Sequence, residues 1–254
     1  MDRERDEELV RQFDFSRLNE EIYGSFTYKR GISIEPCRTA LVLVDMQPSL
    51  TSPHVGQGKA FSRILKCDID YFANRVQDLV LPNQGRLLEH FRASGMIIVY
   101  VVTWSETEDL SDMSPALQKT IRHWEEVLGE QVYRKWNEGM DIYPVIAPRK
   151  SELICQKRSA SAFTSSTIDF CLRQANIQTV VLTGCNTNGC VFETAVVGKN
   201  LGYDFVLVND ATACFHPVLQ NEAEVWFARH FGLVHTTDET LELLRMAEGG
   251  TRCE

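Results

Sequence analysis

The sequence of 254 residues lacks any apolar run close to the roughly 20 residues that a membrane-spanning helix needs. Positive charge is also scarce. The 26 Lys and Arg against 35 Asp and Glu give a net charge of −9, so no nucleic-acid surface is expected, because phosphate binding needs a basic patch. Residues 1–8 are densely charged and contain no apolar segment of a secretory signal. We therefore expect a cytoplasmic protein whose partners are neither nucleic acids nor membranes.

Three further patterns are missing. The eight cysteines are scattered and form no CxxC pair, so most are expected to be buried thiols and not disulfides. The six histidines show no ligand spacing, and no metal site is predicted. The first apolar run is followed by Asp-Met-Gln-Pro and not by a glycine-rich turn, which excludes a dinucleotide-binding protein. We therefore expect no cofactor.

What the chain does contain is an alternation of strand and helix patterns. Short apolar and β-branched runs predict strands at 39–44, 96–102, 152–156, 179–183, 204–208 and 233–235. Amphipathic periodicity predicts helices at 74–94, with an interruption near Pro82, and at 115–128, 166–176, 190–201, 217–232 and after Thr237. This order predicts an α/β fold with three α/β/α layers and a doubly wound, mostly parallel sheet.

The chain is predicted to form one domain over residues 38–254, preceded by an extension over residues 1–37. The extension is charged and too short to bury a core alone, yet it carries apolar positions such as Leu9 and Phe13. These positions need a surface to pack on. We expect the extension to be a packing arm in a homo-oligomer, a dimer or a tetramer, and to contribute to the cover of the active-site mouth.

Polar side chains follow three of the predicted strands, at the edge where a parallel sheet collects its functional loops. Asp45 follows the first strand, Lys157 the third, and Cys190 lies after the fourth, at or next to a helix start. A helix start stabilises a thiolate, which lowers the pKa of the thiol, and its free N–H groups receive an oxyanion. Singly, each residue has an ordinary explanation: a structural cysteine, a capping or loop carboxylate, and a solvated lysine.

The convergence of these three residues at one edge favours catalysis. In such a set Asp45 takes the proton of the Cys190 thiol and returns it to a leaving amine, while Lys157 holds the ion pair and stabilises charge. The sequence therefore predicts a nucleophilic site at the carboxyl edge of the sheet.

The segments around these residues resemble the isochorismatase-like cysteine hydrolase superfamily, which includes nicotinamidases, N-carbamoylsarcosine amidases, and ureidoacrylate and biuret hydrolases. The resemblance extends over residues 38–245. Its marks are ALVLVDMQ at 40–47, Lys157 followed by SASAF at 159–163, TGCNTNGCV at 183–191, and GYDFVLVNDA at 202–211. By that resemblance Asp45 is the general acid and base, Lys157 the supporting cation and Cys190 the nucleophile. It also implies a cis peptide bond at Cys185–Asn186 and an oxyanion hole formed by the N–H groups of Asn186 and Cys190.

The activity that the resemblance implies is hydrolysis of the C–N bond of a small amide or ureido compound, through a thioester and with release of ammonia or an amine. This sequence departs from the family pattern at two places, and both narrow the expected activity. The segment 103–108 has no histidine, unlike metal-dependent nicotinamidases. Cys214 and Phe215 stand where some members place an arginine that binds a substrate carboxylate.

The substrate itself is not predicted, but the residues expected to line its pocket are Gln47, Trp104, Phe163 and Phe215. Two other classes of function stay open at this point. One is a catalytically silent scaffold or binding protein of the same fold. The other is a thiol redox protein, which the CxxxxC spacing of Cys185 and Cys190 disfavours.

Overall fold

The protein is described here by a computed structural model that covers residues 32, 34–65 and 69–248. Within these residues six strands form one sheet: β1 (Thr39–Val44), β2 (Ile97–Thr103), β3 (Leu153–Lys157), β4 (Thr179–Cys185), β5 (Asp204–Ala213) and β6 (Gly232–His235). All neighbouring strands are parallel, in the order β3-β2-β1-β4-β5-β6. The order reverses between β1 and β4, and the crevice beyond the carboxyl ends of these strands is where such sheets bind ligands.

Helices connect the strands and cover both faces of the sheet. The described α-helices are α1 (Pro48–Thr51), α2 (Gly56–Leu65), α3 (Asp70–Arg75), α4 (Leu81–Ala93), α5 (Pro115–Leu128), α6 (Ala162–Ser165), α7 (Ile168–Gln174), α8 (Phe192–Asn200), α9 (Pro217–His230) and α10 (Thr237–Glu248). Short 3₁₀ turns occur at Pro36–Arg38 and Pro144–Ile146, and π-helical segments at Val76–Val80 and Thr187–Val191. The predicted three-layer α/β/α fold with a doubly wound parallel sheet is confirmed.

Two strands are longer than predicted at the edge that carries the site. β4 continues past residue 183 to Cys185, and β5 continues past residue 208 to Ala213. Asn209 and Asp210 end the apolar pattern of β5, but after a shift in register Thr212 and Ala213 still pair with Gly184 and Cys185. β3 likewise includes Lys157 as its last residue, where the prediction ended the strand at 156.

The interruption predicted near Pro82 takes the form of the π-helical segment Val76–Val80, which joins α3 to α4. Pro82 lies directly after this segment, at the start of α4, and has no N–H to donate to the preceding turn. The chain nevertheless stays helical from Asp70 to Ala93. At the other end of the chain, Gly232 begins β6, whereas the sequence suggested that it ends the preceding helix.

β1 supplies side chains to two cores, and all six of its residues are buried. Leu41 and Leu43 pack with apolar residues of α3, α4 and α10. Ala40, Val42 and Val44 pack with residues of α7, α8 and α9 on the opposite face. Burial on both faces explains why the strand is continuously apolar in sequence.

A third apolar cluster, here called the cap cluster, is built from segments that follow β1 and β2. Its buried members are Leu50, Ala60, Leu110, Met113, Ile121, Trp124, Leu128, Val132 and Tyr133. They come from α1, α2, α5 and the loops on either side of α5. Because both segments leave carboxyl ends of strands, the cap cluster lies on the side of the sheet that carries Asp45.

The extension predicted over residues 1–37 lies outside the described residues except for residue 32 and residues 34–37. Its proposed packing role and the homo-oligomer therefore stay predictions. None of the helices that the structure describes is long and apolar enough to cross a membrane.

Candidate active site

Asp45 is the first residue after β1 and turns the chain away from the sheet. Its N–H still donates to the carbonyl of Val101 at 2.8 Å, but its φ of 55° lies in the left-handed region. Aspartate enters this region more readily than most residues. The side chain is buried, with 2% of the residue exposed, so the backbone turn fixes a carboxylate in an enclosed position.

Lys157 reaches the same point from the end of β3. It pairs in register with Thr103, the last residue of β2. Its ammonium group donates to Oδ2 of Asp45 at 2.9 Å, to the carbonyl of Ser159 at 3.2 Å and to Sγ of Cys190 at 3.4 Å. An ammonium has three protons to donate, so this lysine is fully engaged although it is buried.

Cys190 lies in the π-helical segment Thr187–Val191, between β4 and α8. The close approach of β4 to β1 depends on Gly184, because a Cβ there would lie 2.1 Å from the carbonyl oxygen of Val44. The peptide bond Cys185–Asn186 is cis, as the resemblance implied. The carbonyl of Asn186 then accepts the N–H groups of Gly189 at 2.9 Å and Val191 at 3.2 Å, which closes the turn that carries the thiol.

The three predicted catalytic residues are therefore brought together. Burial raises the pKa of Asp45 and outweighs the opposing effect of Lys157. Burial alone would lower the pKa of Lys157, but the charge of Asp45 and the hydrogen bonds to Asp45 and Cys190 outweigh it, and the pKa is raised. The raised pKa of Lys157 keeps its ammonium protonated, and this ammonium opposes the burial that disfavours ionisation of Asp45.

The expectation that the helix start lowers the pKa of Cys190 is wrong. Burial raises the pKa of this thiol to about 12, and the attraction of Lys157 does not compensate, partly because the Asp45 carboxylate opposes it. The residue is only half-buried as a whole, but its sulfur faces the enclosed ion pair. The resting form of Cys190 is a neutral thiol.

Asp45 has one oxygen free for a proton. Its Oδ2 is bound by Lys157, whereas Oδ1 is buried and has no hydrogen-bond partner among the residues that the structure describes. The Cys190 thiol lies beside this carboxylate. A free acceptor next to a protonated thiol is the arrangement that general-base activation needs.

Two residues predicted to line the substrate pocket are engaged in other contacts. The Gln47 amide is fully buried. It accepts the N–H of Thr103 at 2.9 Å and donates to the carbonyls of Thr103 at 3.3 Å and Met140 at 2.5 Å. The Trp104 indole donates to Glu106 at 2.9 Å and lies under the Lys135 ammonium, 5.7 Å from the ring centroid. Gln47 thus joins the ends of β1 and β2 to the loop before β3.

The two predicted phenylalanines also pack against other rings. Phe163 lies 5.1 Å from Tyr203 between ring centroids and fits against Gly198, where a Cβ would come within 2.6 Å of its ring. Phe215 lies between Phe61 at 4.5 Å and Phe72 at 4.6 Å. A role of these four residues in substrate binding stays a prediction.

The structure also brings forward a residue that the sequence did not indicate. Tyr133, in the loop between α5 and β3, is buried, and its hydroxyl donates to Oε1 of Gln57 at 3.2 Å. Burial, followed by the charges of Asp45 and Cys190, raises the pKa of this phenol. No periodic sequence pattern indicates Tyr133 or Gln57. Both lie in segments whose fold depends on packing in the cap cluster.

The region after β2, which has no histidine, holds no ligand set in the structure either. Among the described residues, no three His, Cys, Asp or Glu side chains are grouped so that they hold a metal ion. The metal-free site stays a prediction from the sequence.

Comparison with known proteins decides the family. A family model for the isochorismatase domain matches residues 39–239. The chain belongs to the isochorismatase family. It is 30% identical to the uncharacterized isochorismatase family protein YrdC of Bacillus subtilis, over 73% of this chain and 79% of that protein. It is 28% identical to the ureidoacrylate amidohydrolase RutB of Serratia proteamaculans, over 82% of this chain and 83% of that protein.

A solved structure supports the isochorismatase-family fold. The cysteine hydrolase from Pseudomonas syringae pv. phaseolicola superimposes with a TM-score of 0.69 at 21% identity, and the match covers 85% of this chain and 96% of that one. As a member of the isochorismatase family, the protein is a hydrolase with a three-layer α/β/α fold.

Proposed function

We propose that this isochorismatase-family hydrolase is a cysteine-dependent amidohydrolase, which cleaves the C–N bond of a small amide or ureido compound through a thioester. The observation that carries the proposal is the position of the Lys157 ammonium, 2.9 Å from Oδ2 of Asp45 and 3.4 Å from Sγ of Cys190. The similarity to an enzyme named ureidoacrylate amidohydrolase supports a C–N bond as the target.

In the first step the Cys190 sulfur attacks the carbonyl carbon of the substrate. The thiol proton passes to Asp45, and the electron pair of the carbonyl moves to its oxygen. Because the pKa of Cys190 is raised to about 12, this proton transfer accompanies the attack and does not precede it. We assign the N–H groups of Asn186 and Cys190 as donors to the oxyanion, a type of interaction that stabilises such intermediates strongly.

In the second step the C–N bond breaks and the nitrogen takes the proton from Asp45, so ammonia or an amine leaves and Cys190 carries the acyl group. Water then attacks the thioester and gives a proton to Asp45. When the C–S bond breaks, that proton returns to the sulfur, and the acid product leaves. Lys157 stays protonated throughout and stabilises the carboxylate each time Asp45 loses its proton.

Two other functions have less support. A catalytically silent scaffold has no use for a buried ion pair beside a thiol, since unpaired or imperfectly paired charges cost stability in an interior. A redox function needs a second thiol within reach of Cys190. Cys185 and Cys190 are both free thiols, and Cys185 is buried with its sulfur 3.9 Å from that of Met46.

Ammonia release from a panel of small primary amides and ureido compounds tests the proposal. We expect release by the full-length protein with at least one compound, no release by Cys190→Ala, and a transient thioester on the Cys190 peptide in acid-quenched samples. Cys37→Ala is the matched control, because Cys37 is exposed and lies before β1, at the opposite edge of the sheet. Turnover that survives in Cys190→Ala contradicts the proposal, and silence of the whole panel favours the scaffold.

A further inference from the structure

The turn that carries Cys190 has little support of its own. It is closed by two backbone hydrogen bonds, from Gly189 and Val191 to the carbonyl of Asn186. Within the described residues the Asn186 side chain makes no capping hydrogen bond, and Gly189 departs from helical geometry, with φ −127° and ψ −110°. Helical turns this short are not stable alone, so the direction of the N–H groups in the turn depends on contacts with the rest of the fold.

One such contact comes from α9. The hydroxyl of Thr187, the first residue of the π-helical segment, donates to Oε1 of Gln220 at 2.7 Å. Thr187 is 1% exposed and Gln220 is 4% exposed, so the bond is shielded from water. Thr187 directly follows Asn186, whose N–H is one of the two donors assigned to the oxyanion. The bond therefore fixes the chain next to that donor.

The orientation of the Gln220 amide follows from its other partners. Its Nε2 donates to Oε1 of Glu224 at 2.7 Å and to the hydroxyl of Thr212 at 3.2 Å. The other oxygen of Glu224 accepts from Nδ2 of Asn209 at 3.4 Å. An ionised carboxylate only accepts hydrogen bonds, so the amide nitrogen has to face Glu224 and the amide oxygen has to face Thr187. The proton of the Thr187 hydroxyl is thereby committed to Gln220.

The far end of this chain of hydrogen bonds is fixed to the sheet. Thr212 pairs in register with Gly184 of β4, and its hydroxyl donates to the carbonyl of Asn209 at 3.2 Å. Arg75 of α3 donates to the carbonyl of Thr212 at 2.9 Å and to that of Asn209 at 2.7 Å. Gln220 is therefore connected to the backbone of β5, and a shift of the turn relative to the sheet breaks buried hydrogen bonds, which is costly.

We propose that Gln220 and Thr187 are positioning residues, whose hydrogen bond directs the Asn186 N–H group toward the oxyanion. The inference rests on the proposed function, which assigns that N–H group to the oxyanion, and it adds the residues that keep it in place. Loss of the bond should weaken the binding of a tetrahedral oxygen at the site. It should leave the thiol itself unchanged, because the Cys190 sulfur is held by Lys157.

Addition of an aldehyde to Cys190 tests the inference without turnover. When acetaldehyde adds, the C–S bond forms and the thiol proton ends on the former carbonyl oxygen, which then occupies the oxyanion position. The dissociation constant of the adduct, measured by ¹³C NMR with acetaldehyde labelled at the carbonyl carbon, reports the oxyanion donors, and Cys190→Ala identifies the signal. The rate of alkylation by iodoacetamide reports the thiol alone.

Thr187→Val removes the hydroxyl and keeps the shape of the side chain. We expect it to raise the dissociation constant of the adduct about three- to tenfold, the effect of one hydrogen bond, while the alkylation rate of Cys190 stays the same. Thr187→Ser keeps the hydroxyl and should restore the affinity, which a purely structural role of the threonine would not produce. Gln220→Met should weaken the adduct at least as much as Thr187→Val. The double variant should be no weaker than Gln220→Met, because both changes remove the same bond.

Thr39→Val is the matched control. Thr39 is also buried, and its hydroxyl donates at the same distance of 2.7 Å, to the carbonyl of Glu35, but it begins β1 at the amino edge of the sheet. Its adduct should be as stable as that of the unmodified protein. The inference is overturned by an unchanged dissociation constant in Thr187→Val, by an equal slowing of alkylation, or by a failure of Thr187→Ser to restore the affinity. If the unmodified protein forms no adduct, the inference falls with the assignment of the oxyanion donors.

Turnover gives an independent result. With a hydrolysed amide, Thr187→Val should lower kcat about three- to tenfold at nearly constant KM, the pattern of an interaction made in the transition state, and Thr187→Ser should recover kcat. A rise in KM at constant kcat contradicts the inference. If no compound is hydrolysed but the adduct behaves as expected, the amidohydrolase proposal fails and the positioning role stands.

Discussion

Two of the ion pairs in the described part of the chain lie at opposite edges of the sheet, one buried and the other partly buried. At the carboxyl edge, Asp45 and Lys157 are 2.9 Å apart, with side-chain exposures of 3% and 1%. At the amino edge, Arg92 holds both oxygens of Glu152, at 2.7 and 3.0 Å, and the N–H of Arg149 adds a third bond at 2.8 Å. The residue types are similar, but the partners differ in number.

The pKa values of the two carboxyl groups shift in opposite directions. Burial alone would raise the pKa of Glu152, but the hydrogen bonds from Arg92 and Arg149 outweigh it, and the pKa is lowered. For Asp45 burial outweighs Lys157, and the pKa is raised. The fully bonded pair at the amino edge is a structural clamp. The pair at the carboxyl edge is left with an unbonded oxygen, which makes it a proton acceptor.

The largest difference between the two pairs is expected when each carboxylate is replaced by an amide. Asp45→Asn removes the proton acceptor, and we expect kcat for ammonia release to fall about 10³-fold, within the usual range for a general base. Glu152→Gln should stay within about twofold, since Glu152 precedes β3 at the opposite edge of the sheet and is remote from the reacting atoms. Both are measured with the amide panel after circular dichroism confirms the fold. Comparable losses in the two variants would show that the pairs do not differ in function.

Removal of one cation should show which pair is more costly to disrupt. Lys157→Met leaves a carboxylate buried without its partner, and we expect the free energy of unfolding to fall by about 3 kcal/mol. The double variant Asp45→Asn/Lys157→Met should regain most of it while remaining inactive. Arg92→Met is the matched change at the amino edge and should cost less, because Glu152 keeps the Arg149 N–H. Urea denaturation measures all three, and a double variant no more stable than Lys157→Met speaks against the argument.

The pH dependence of alkylation tests the state of the nucleophile. With its pKa raised to about 12, the rate of Cys190 with iodoacetamide should rise about tenfold per pH unit and continue to rise past pH 9, because only the thiolate reacts. A lowered pKa, which the position at a helix start had suggested, would instead give a plateau at or below neutral pH. N-acetylcysteine, which levels off near its ordinary pKa of about 8.5, is the reference. A plateau at Cys190 below pH 8 contradicts the neutral resting thiol.

Acidification is expected to have the smallest effect. It weakens the Arg92–Glu152 pair and removes the cost of ionising the buried Asp45. Because the pKa of Glu152 is lowered from 4.5, its ionised form stabilises the fold fully above pH 4.5, and that contribution is lost as the pH falls through the folded value. The raised pKa of Asp45 has the opposite sign: ionisation costs stability above the folded value, and the cost disappears as the pH falls toward 3.8. The difference in the free energy of unfolding between the unmodified protein and Glu152→Gln should therefore shrink below pH 4.5 in urea titrations. A difference that does not change with pH would contradict the stabilising role of the Arg92–Glu152 pair.

The grouping of the three candidate catalytic residues was predictable because each is attached to a strand that the sequence marks clearly. Asp45, Lys157 and Cys190 follow or end β1, β3 and the β4 connection, and parallel strands bring their carboxyl ends to one edge whatever the loops do. The alternation of strands and helices is recorded in local periodicity, so the order of elements and the fold class were also predictable.

The protonation state of Cys190 and the contact between Tyr133 and Gln57 were not predictable in this way. The pKa of Cys190 depends on how completely the folded site excludes water, which no local pattern records. Tyr133 and Gln57 meet because α2 and the loop before β3 both pack into the cap cluster, a contact between residues that are far apart in sequence. The extra length of β5 has the same origin, because Thr212 and Ala213 join the sheet only through their register with β4.

The neutral thiol of Cys190 has a consequence for the lifetime of the enzyme. The thiolate, not the thiol, attacks hydrogen peroxide and disulfides, and a low pKa is what makes a cysteine sensitive to oxidation. In the proposed mechanism Cys190 loses its proton only when a substrate carbonyl is in place, so its thiolate is exposed to oxidants for a small part of the cycle. In that mechanism the burial that raises the pKa of the thiol also protects the sulfur between turnovers.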